Sequence, residues 1–286
     1  MKKTWKYDYD ISVLTREDAN SFYLLGAFMS DGNVNKNEYS ISLSSKDYDW
    51  LSIIRQKLVT NYNDFLFDIR QDFYLCNKNL VKWFLDHGCE PIKSLTVKFP
   101  VIPKQYMADF LRGIVDGDGH VGMTTYFHKQ NNKYYDQYSA YICSSSNDFI
   151  NGLKDFLKCN DFAFSFTTIK NNKSYFAKED RFIEQKHDHY RICFSERTAY
   201  YFLKFIYYDG CELFMPRKNN VAQECISYYD AIINNPHKNT KYHYPSNDEL
   251  IKIISENGYS KAETILKIPK ASLIYRVRSR QLNIRR

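Results

Sequence analysis

This 286-residue sequence contains no Cys-x-x-Cys motif. The seven cysteines occur singly, at Cys76, Cys89, Cys143, Cys159, Cys193, Cys211 and Cys225. An odd number of scattered cysteines is typical of reduced thiols and excludes a disulfide scaffold. The sequence also has no apolar run long enough for a signal peptide or a membrane span. With 44% hydrophobic residues, we expect a globular, cytoplasmic protein without a membrane partner.

Net charge is almost absent from the first 240 residues. The whole chain carries +7, but residues 241–286 alone contain ten Lys and Arg against four Asp and Glu. The chain therefore ends in a basic segment that follows a nearly neutral body. A basic segment without a broad apolar face favours nucleic acid over a membrane surface as its partner. The alternative is an ordinary solvated tail.

Two stretches of the chain share an unusual ending. The sequences YLLGAFMSDGNV (23–34) and DFLRGIVDGDGHVG (109–122) each show the apolar spacing of a helix that runs into an Asp-Gly pair. Asp31 and Asp118 therefore fall in the last helical turn, at the negative pole of the helix dipole, where a carboxylate is disfavoured. Because duplicated violations of a local rule usually mark function, we interpret both aspartates as functional. The alternative is a plain Asp-Gly turn that ends each helix.

The similarity extends beyond these stretches, so the chain contains an internal repeat. Residues 39–58 align without gaps on residues 138–157, and each segment has the pattern of a strand followed by an amphipathic helix. Gly-Cys-Glu and Pro-x-Lys also recur. The period is too long for a solenoid. We predict an α+β fold of two pseudo-symmetric αββαββα halves, residues 1–120 and 106–233, with the boundary running into the second motif helix at about residue 105.

Small residues on the two predicted helices allow their backbones to approach closely. Gly26 and Ser30 lie four residues apart, as do Gly113 and Gly117, so each pair shares one helix face. We expect the two helices to cross at these faces and to form the interface between the halves. Their aspartate-bearing ends then converge at one point.

Two converging carboxylates form a site of hard oxygen ligands suited to Mg²⁺ or Mn²⁺. We expect Asp31 and Asp118 to bind the ion together with the backbone carbonyls of Ser30 and Gly117. Facing a phosphodiester, such an ion assists hydrolysis by stabilising charge and by activating a water. Two repeated lysines are expected to stabilise transition-state charge or to tune the water; they end the Pro-x-Lys copies, at Lys93 and Lys218.

The segments LLGAFMSDG (24–32) and LRGIVDGDG (111–119) resemble the name motif of the LAGLIDADG homing endonucleases in their single-chain, two-repeat form. The similarity covers about residues 15–230. In that family the eighth motif residue, which corresponds to Asp31 and Asp118, binds Mg²⁺ and cuts one DNA strand. The resemblance implies a monomeric, site-specific homing endonuclease that hydrolyses both strands of a long double-stranded DNA target.

The same resemblance has further implications. Lys93 and Lys218 correspond to basic residues near the scissile phosphates, and the two halves are expected to form a saddle-shaped DNA-binding sheet. One departure concerns the sixth motif position, which is acidic in the second copy (Asp116) and Met29 in the first. Because the eighth position binds the metal in this family, no loss of activity is expected from Met29.

The strand YSISLSS (39–45) shows how DNA would be read. Ile41 and Leu43 alternate with serines, so one sheet face packs on helices and the other is polar. A polar sheet face that enters a major groove reads base edges. By this alternation and the resemblance, the predicted DNA contacts are Asn33, Asn35, Lys36, Ser40, Ser42 and Arg70 in the first half and Lys129, Ser139, Lys170 and Arg191 in the second.

The basic end of the chain resembles a helix-turn-helix DNA-binding module. Residues 234–247 are polar and without periodicity, which indicates a linker, and residues 248–286 are the predicted module. Capping boxes at Ser246 with Glu249 and at Ser260 with Glu263 begin two short helices, and a basic helix follows. Its predicted DNA contacts are Lys270, Ser272, Arg276, Arg278 and Arg280. A small helical bundle with an ordinary charged face is the alternative.

Two other functions stay open. A group of bacterial regulators resembles a degenerate LAGLIDADG core joined to a helix-turn-helix, and some family members are RNA maturases that assist splicing, so intron RNA is a second candidate partner. The presence of both aspartates and both lysines favours the nuclease. His187 and His189 have no further metal ligand at a suitable spacing, and we interpret them as loop residues. A DNA-binding protein of this composition is expected near the nucleoid of a bacterial or phage-infected cell.

Overall fold

The fold is described from a computed structural model that covers residues 8–35, 39–60, 72–130, 132–170, 173–176, 181–184, 187–234, 244–279, 282 and 284. The chain divides into two compact units, Met1–Tyr229 and Asp230–Arg286, and each is described by itself. No helix in the described part of the chain has the length and hydropathy of a membrane span. The predicted mixed helix and sheet fold is confirmed at this level.

In the described residues, the first half of the larger unit contains four α-helices and one antiparallel sheet. Its elements are α1 (Ser12–Thr15), α2 (Ala19–Ser30), β1 (Gly32–Val34), β2 (Ile41–Ser44), α3 (Tyr48–Leu58), β3 (Asp72–Leu75) and α4 (Lys78–Asp86). The sheet has the order β1-β2-β3. Helix α2 begins with a capping box, in which the Asp18 carboxylate accepts hydrogen bonds from the backbone of Asn20 and Ser21 and the Ser21 hydroxyl accepts one from the backbone of Asp18. This cap fixes the start of the helix that carries Asp31.

The second half of the larger unit has a longer antiparallel sheet. Its elements are α5 (Met107–Gly117), β4 (His120–His128), β5 (Lys133–Ser144), α6 (Asn147–Cys159), β6 (Ser165–Ile169), β7 (Lys173–Phe176), β8 (Arg181–Glu184), β9 (His189–Ser195), α7 (Arg197–Ile206) and α8 (Pro216–Asn234). The main sheet has the order β4-β5-β9-β6, and β7 pairs with β8 alone. The two aligned sequence segments therefore each fold as a strand followed by a helix, β2 with α3 and β5 with α6.

Helices α2 and α5 cross at backbone contact distance. A Cβ atom built on Gly113 would overlap the Tyr23 carbonyl oxygen and would lie 2.8 Å from the Ala27 nitrogen. A Cβ atom on Gly26 would overlap the Phe110 carbonyl oxygen in the same way. Glycine is therefore required at both positions by the close approach of the two helices, and not by a special backbone conformation.

The smaller unit is a set of short helices around its own core. Helix α9 (Asn247–Leu266) is interrupted at Gly258, where the backbone has φ 71° and ψ 165°, and α10 (Lys270–Ser279) follows a turn at Lys267. The Ser246 hydroxyl accepts a hydrogen bond from the backbone of Glu249, as its capping box predicts. The core consists of Leu250, Ile254, Ala262, Ile268, Leu273 and Val277. Most of the predicted linker, residues 235–243, lies outside the described residues, and α9 begins at its last position.

Candidate active site

Asp31 and Asp118 lie side by side at the C-terminal ends of the crossing helices α2 and α5. Each is the C-cap residue, directly after the last residue of its helix, with φ −86° and −83° respectively. The two carboxyl groups are close enough for Asp118 to raise the pKa of Asp31 through its charge and through hydrogen bonding. Burial and the charge of Asp118 raise the pKa of Asp31 to about 7, against the opposing charges of Lys218 and Lys93. The sequence predicted this convergence, and the structure places the two carboxyl groups in contact.

The two repeated lysines are buried beneath the helix ends. Lys218 Nζ lies within hydrogen-bond distance of four carbonyl oxygens at the end of α5: Val115 (2.7 Å), Asp116 (2.7 Å), Gly117 (3.1 Å) and Gly119 (2.8 Å). Lys93 Nζ donates to the Gly32 carbonyl just past α2. Burial lowers the pKa of Lys218 to about 8. Both cations therefore compensate the negative dipole ends on which the aspartates lie.

The oxygen atoms at this point suit a small divalent cation. Two carboxylates are adjacent, and their mutual repulsion would be relieved by a positive ion between them. The Gly117 carbonyl, one of the two predicted backbone ligands, already accepts a hydrogen bond from Lys218 Nζ. The Ser30 carbonyl stays a predicted ligand, and the Ser30 hydroxyl, which is a different group, lies within hydrogen-bond distance of the Gly26 and Ala27 carbonyls. Among the described residues no group of three or more His, Cys, Asp or Glu side chains surrounds a metal position. Water and substrate oxygens would have to complete the coordination of an ion held here.

Asp116, which the sequence placed beside Asp118, points away from the aspartate pair into the core. Its carboxylate is fully buried and accepts hydrogen bonds from Tyr23 Oη (2.8 Å), Tyr207 Oη (2.6 Å) and the Met215 backbone nitrogen (2.8 Å). Burial raises its pKa to about 6, although these three hydrogen bonds lower it. Trp50 Nε1 donates in turn to Tyr23 Oη. Asp116 therefore links α5 to elements of both halves, a role that sequence spacing does not reveal.

Arg112 lies on the same helix and is also buried. Its guanidinium donates to the carbonyls of Leu213 and Ile206 and to the carboxylate of Asp109, each at 2.7 Å. Tyr208 Oη donates to the same Asp109 carboxylate. These contacts hold the last residue of α7 and the segment after it against α5, which is a structural use of the ion pair.

The polar face of the first sheet brings together four of the six predicted DNA contacts in that half. Asn33 pairs with Ser42 in register, and Tyr74 lies opposite Ser42 on β3. These residues, with Asn35 and Ser40, line a groove of about 390 Å³. Asn33, Asn35 and Tyr74 are exposed. Tyr74 was not predicted, although its register with Ser42 puts it on this face. The other two predicted residues, Lys36 and Arg70, lie outside the described residues.

On the second sheet, the predicted residues Ser139 and Arg191 lie on one face with Tyr141. Strand register places Ser139 opposite Gly122 and Arg191 opposite Cys143, which fixes this face. The Arg191 guanidinium stacks 4.4 Å from the centre of the Tyr141 ring, and its Nε donates to Cys143 Sγ at 3.3 Å. Tyr141 stacks on His120 on its own sheet. The two remaining contacts predicted for this half are exposed at strand ends, at Lys129 and Lys170.

A crevice of about 250 Å³ opens beside Asp118. Lys93 and Ser94 from the first half and Ser145 and His189 from the second half line it. The structure corrects the interpretation of His189 as a loop residue, because it is the first residue of β9. Its Nδ1 lies 2.9 Å from Ser145 Oγ. The sequence contained one signal for this crevice, because Ser145 lies in the segment 138–157 that aligns with residues 39–58.

The predicted contacts in the smaller unit are distributed unequally. Lys270 is exposed and Ser272 half-buried, in agreement with a solvent-facing side of α10. Arg276 does not agree, because it is buried and its guanidinium stacks over the Tyr244 ring at 4.9 Å. The aromatic residue before α9 therefore draws this arginine towards the core. Nothing is described for the side chain of Arg278, and Arg280 lies outside the described residues.

The chain matches no protein-family profile and no curated protein sequence. A crystal structure of the LAGLIDADG homing endonuclease I-LtrWI bound to target DNA is similar over 80% of this chain and 93% of that one, with 9% identity and a TM-score of 0.45. The LAGLIDADG meganuclease I-AabMI bound to uncleaved DNA is similar over 76% and 92%, with 12% identity and a TM-score of 0.44. The meganuclease I-SmaMI bound to uncleavable DNA is similar over 76% and 91%, with 8% identity and a TM-score of 0.45.

Proposed function

We propose that this protein is a site-specific endonuclease that hydrolyses both strands of double-stranded DNA with Mg²⁺ or Mn²⁺. The observation that carries the proposal is the contact between Asp31 and Asp118 at the ends of two crossing helices. A carboxylate pair at two negative dipole ends destabilises the fold unless it has a cationic partner. The duplicated motif, with one aspartate in each half, supports one cut per strand.

The chain's own groups have distinct tasks in this proposal. Asp31 and Asp118 hold the cation through their carboxylate oxygens. When bound, the cation stabilises charge on the phosphoryl oxygens and activates the water that attacks phosphorus. Lys218 and Lys93 keep positive charge beneath the helix ends, where it stabilises charge that develops on the substrate. Because both aspartates lie on one chain, the proposed active form is a monomer.

The polar faces of the two sheets are the proposed DNA-reading surfaces. Asn33 and Ser42 on the first sheet and Arg191 on the second present amide, hydroxyl and guanidinium groups, which read base edges in a major groove. In this proposal the two halves form the pseudo-symmetric, saddle-shaped surface that the resemblance implies. The smaller unit adds affinity through the exposed side of α10, where Lys270 lies.

The test separates cutting from binding. We expect Asp31→Asn and Asp118→Asn each to abolish double-strand cleavage and to leave the dissociation constant for DNA nearly unchanged, because the base contacts lie elsewhere. Gel-shift titration and strand-resolved cleavage on one duplex give both quantities. Asp49→Asn, an exposed carboxylate in the first turn of α3, is the matched control and should cut normally. Retention of full cutting by both site variants would remove Asp31 and Asp118 from the mechanism.

A DNA-binding regulator without nuclease activity is the second candidate. The observation that favours it is the engagement of Lys218 and Lys93 with helix-end carbonyls, which is also a structural use of both cations. Specific binding by wild-type protein, with no metal-dependent cleavage of the bound duplex, would support this function over the first.

A further inference from the structure

The crevice beside Asp118 is built from groups that suit an anion. An ammonium group (Lys93), two hydroxyl groups (Ser94 and Ser145) and an imidazole (His189) line it. When Ser145 donates its hydroxyl hydrogen to Nδ1 of His189, the imidazole proton resides on Nε2, which becomes a donor. Lysine, hydroxyl and imidazole donors around one space are a set that binds phosphate oxygens.

We infer that this crevice holds a backbone phosphate of the DNA strand that is cut at Asp118, with His189 as a donor to that phosphate and Ser145 as its positioning residue. The inference rests on the proposed function, because the negative charge of Asp118 at the rim would repel a phosphate unless a cation lies between them. Lys93 belongs to the first half and His189 to the second, so the phosphate would bridge the two halves of one chain.

The other half of the molecule has a different set of groups at the matching place. The aligned repeats set Ser145 against Lys46 and Ser146 against Asp47. A lysine therefore stands where Ser145 does, and the neighbouring Asp47 carboxylate accepts two hydrogen bonds from the guanidinium of Arg217, at 2.9 and 3.0 Å. Loss of His189 should therefore affect one strand of the DNA only.

The counterpart of His189 itself follows from the strand registers. Leu75 pairs with Ile41 on the first sheet, and Phe194 pairs with Ala140 on the second. The repeat aligns Ile41 with Ala140, so His189 corresponds to position 70, which is an arginine outside the described residues. The two halves thus differ in sequence as well as in the contacts of Asp47.

The test measures the cutting of each strand separately. The full chain is first used to select a bound duplex from a random-sequence library, and each strand of that duplex is then labelled at its 5′ end. With His189→Ala we expect cleavage of one strand to slow by roughly 10-fold or more, because a hydrogen bond to a charged phosphate is lost. The other strand should be cut within about twofold of the wild-type rate. His189→Gln, which keeps a donor near the Nε2 position, should restore most of the rate. Ser145→Ala should slow the same strand to a smaller extent.

A matched control and a second measurement distinguish failure of the proposed role of His189 from failure of the proposed nuclease activity. His128→Ala changes a histidine on β4 that meets the Tyr135 ring edge-on and does not line the crevice, and it should leave the strand ratio unchanged. Phosphate-ethylation interference should reveal one phosphate whose modification blocks binding of wild type but not of His189→Ala.

The outcomes distinguish the two proposals. Equal slowing of both strands, or no slowing, together with an unchanged interference pattern, would overturn the role of His189 and leave the nuclease standing. Binding without cutting, with the interference difference present, would overturn the nuclease and support the phosphate site. A library that yields no bound duplex would contradict both.

Discussion

At the scale of single residues, the carboxyl group of Asp31 lies where its ionised form is disfavoured. It is half-buried, next to a second carboxyl group and placed at the negative end of a helix. Lys218 and Lys93 offset this only in part, because the pKa of Asp31 is still raised to about 7. An arrangement that lowers stability to keep two carboxylates together is typical of a site that evolved for binding rather than for folding.

This placement predicts how stability varies with pH. The pKa of Asp31 is about 7 in the folded chain and near 4 when unfolded, so the folded chain binds more protons between these values. Its contribution to the free energy of unfolding therefore falls as pH rises from about 4 to about 7. Asn carries no charge at any pH, so Asp31→Asn should raise the free energy of unfolding at pH 8 by roughly 1–3 kcal/mol and leave it nearly unchanged at pH 4. Urea unfolding without divalent ions measures both.

Asp47→Asn is the matched control for this prediction. A hydrogen bond from Arg217 lowers the pKa of Asp47, so its removal should decrease stability at pH 8, opposite in sign to the change at Asp31. Mg²⁺ should raise the unfolding temperature of wild type and have little effect on Asp31→Asn. If Asp31→Asn is destabilised at pH 8, the carboxyl pair is not a source of strain.

At the scale of elements, the contact between α2 and α5 determines where the two aspartates lie. The helices approach so closely at Gly26 and Gly113 that backbone meets backbone. At Gly117 a Cβ would meet the hydroxyl oxygen of Ser30 and lie 2.8 Å from the Ser30 Cβ, so the near atoms belong to one small side chain. Backbone atoms cannot move without separating the helices, whereas the Ser30 hydroxyl can rotate and the Ser30 Cβ needs to shift by only a few tenths of an ångström.

Alanine substitutions in α5 test this difference. Gly113→Ala should lower the free energy of unfolding by roughly 3 kcal/mol or more, because its Cβ overlaps the Tyr23 carbonyl, whereas Gly117→Ala should cost about 1 kcal/mol. Both variants introduce the same residue into the same helix, Gly113 in its interior and Gly117 at its last position. Urea denaturation of the two variants provides the comparison. Equal losses would show that the helices do not depend on close approach at Gly113.

Sequence pattern predicted the elements better than it predicted their surroundings. The two motif helices, the duplicated strand–helix segments and the cap at Ser246 follow from periodicity and capping chemistry, which are local. Arg276 and His189 were misassigned, because their positions depend on contacts with Tyr244 and Ser145, which are distant along the chain. The partners of Asp116 were missed for the same reason.

At the scale of the whole molecule, the chain combines a two-half body with a basic segment that folds into its own unit. Residues Met1–Tyr229 and Asp230–Arg286 each form a compact unit, and α10 belongs to the second. Most of the net positive charge of the chain lies in residues 241–286, where ten basic residues face four acidic ones. The body carries the proposed chemistry, and the second unit is proposed to add affinity for the DNA backbone.

Removal of residues 241–286 tests the contribution of the second unit. The truncated protein should bind DNA more weakly, and the slope of log affinity against log salt should flatten by at most a few ion equivalents, because fewer counterions are released. Binding titrations over a series of salt concentrations measure this, with circular dichroism as the control for folding of the body. An unchanged slope would show that the second unit does not contact DNA.

The central claim is that Asp31 and Asp118 together support metal-dependent cleavage of DNA. The most direct test measures cleavage of the uninterrupted DNA locus that flanks the gene. Purified wild-type protein and the Asp118→Asn variant are each incubated with this DNA, with and without Mg²⁺. We expect wild type to cut both strands at one position only when Mg²⁺ is present, and Asp118→Asn to produce no double-strand break. Specific binding by folded wild-type protein without cleavage, or equal cleavage by the variant, would contradict the claim.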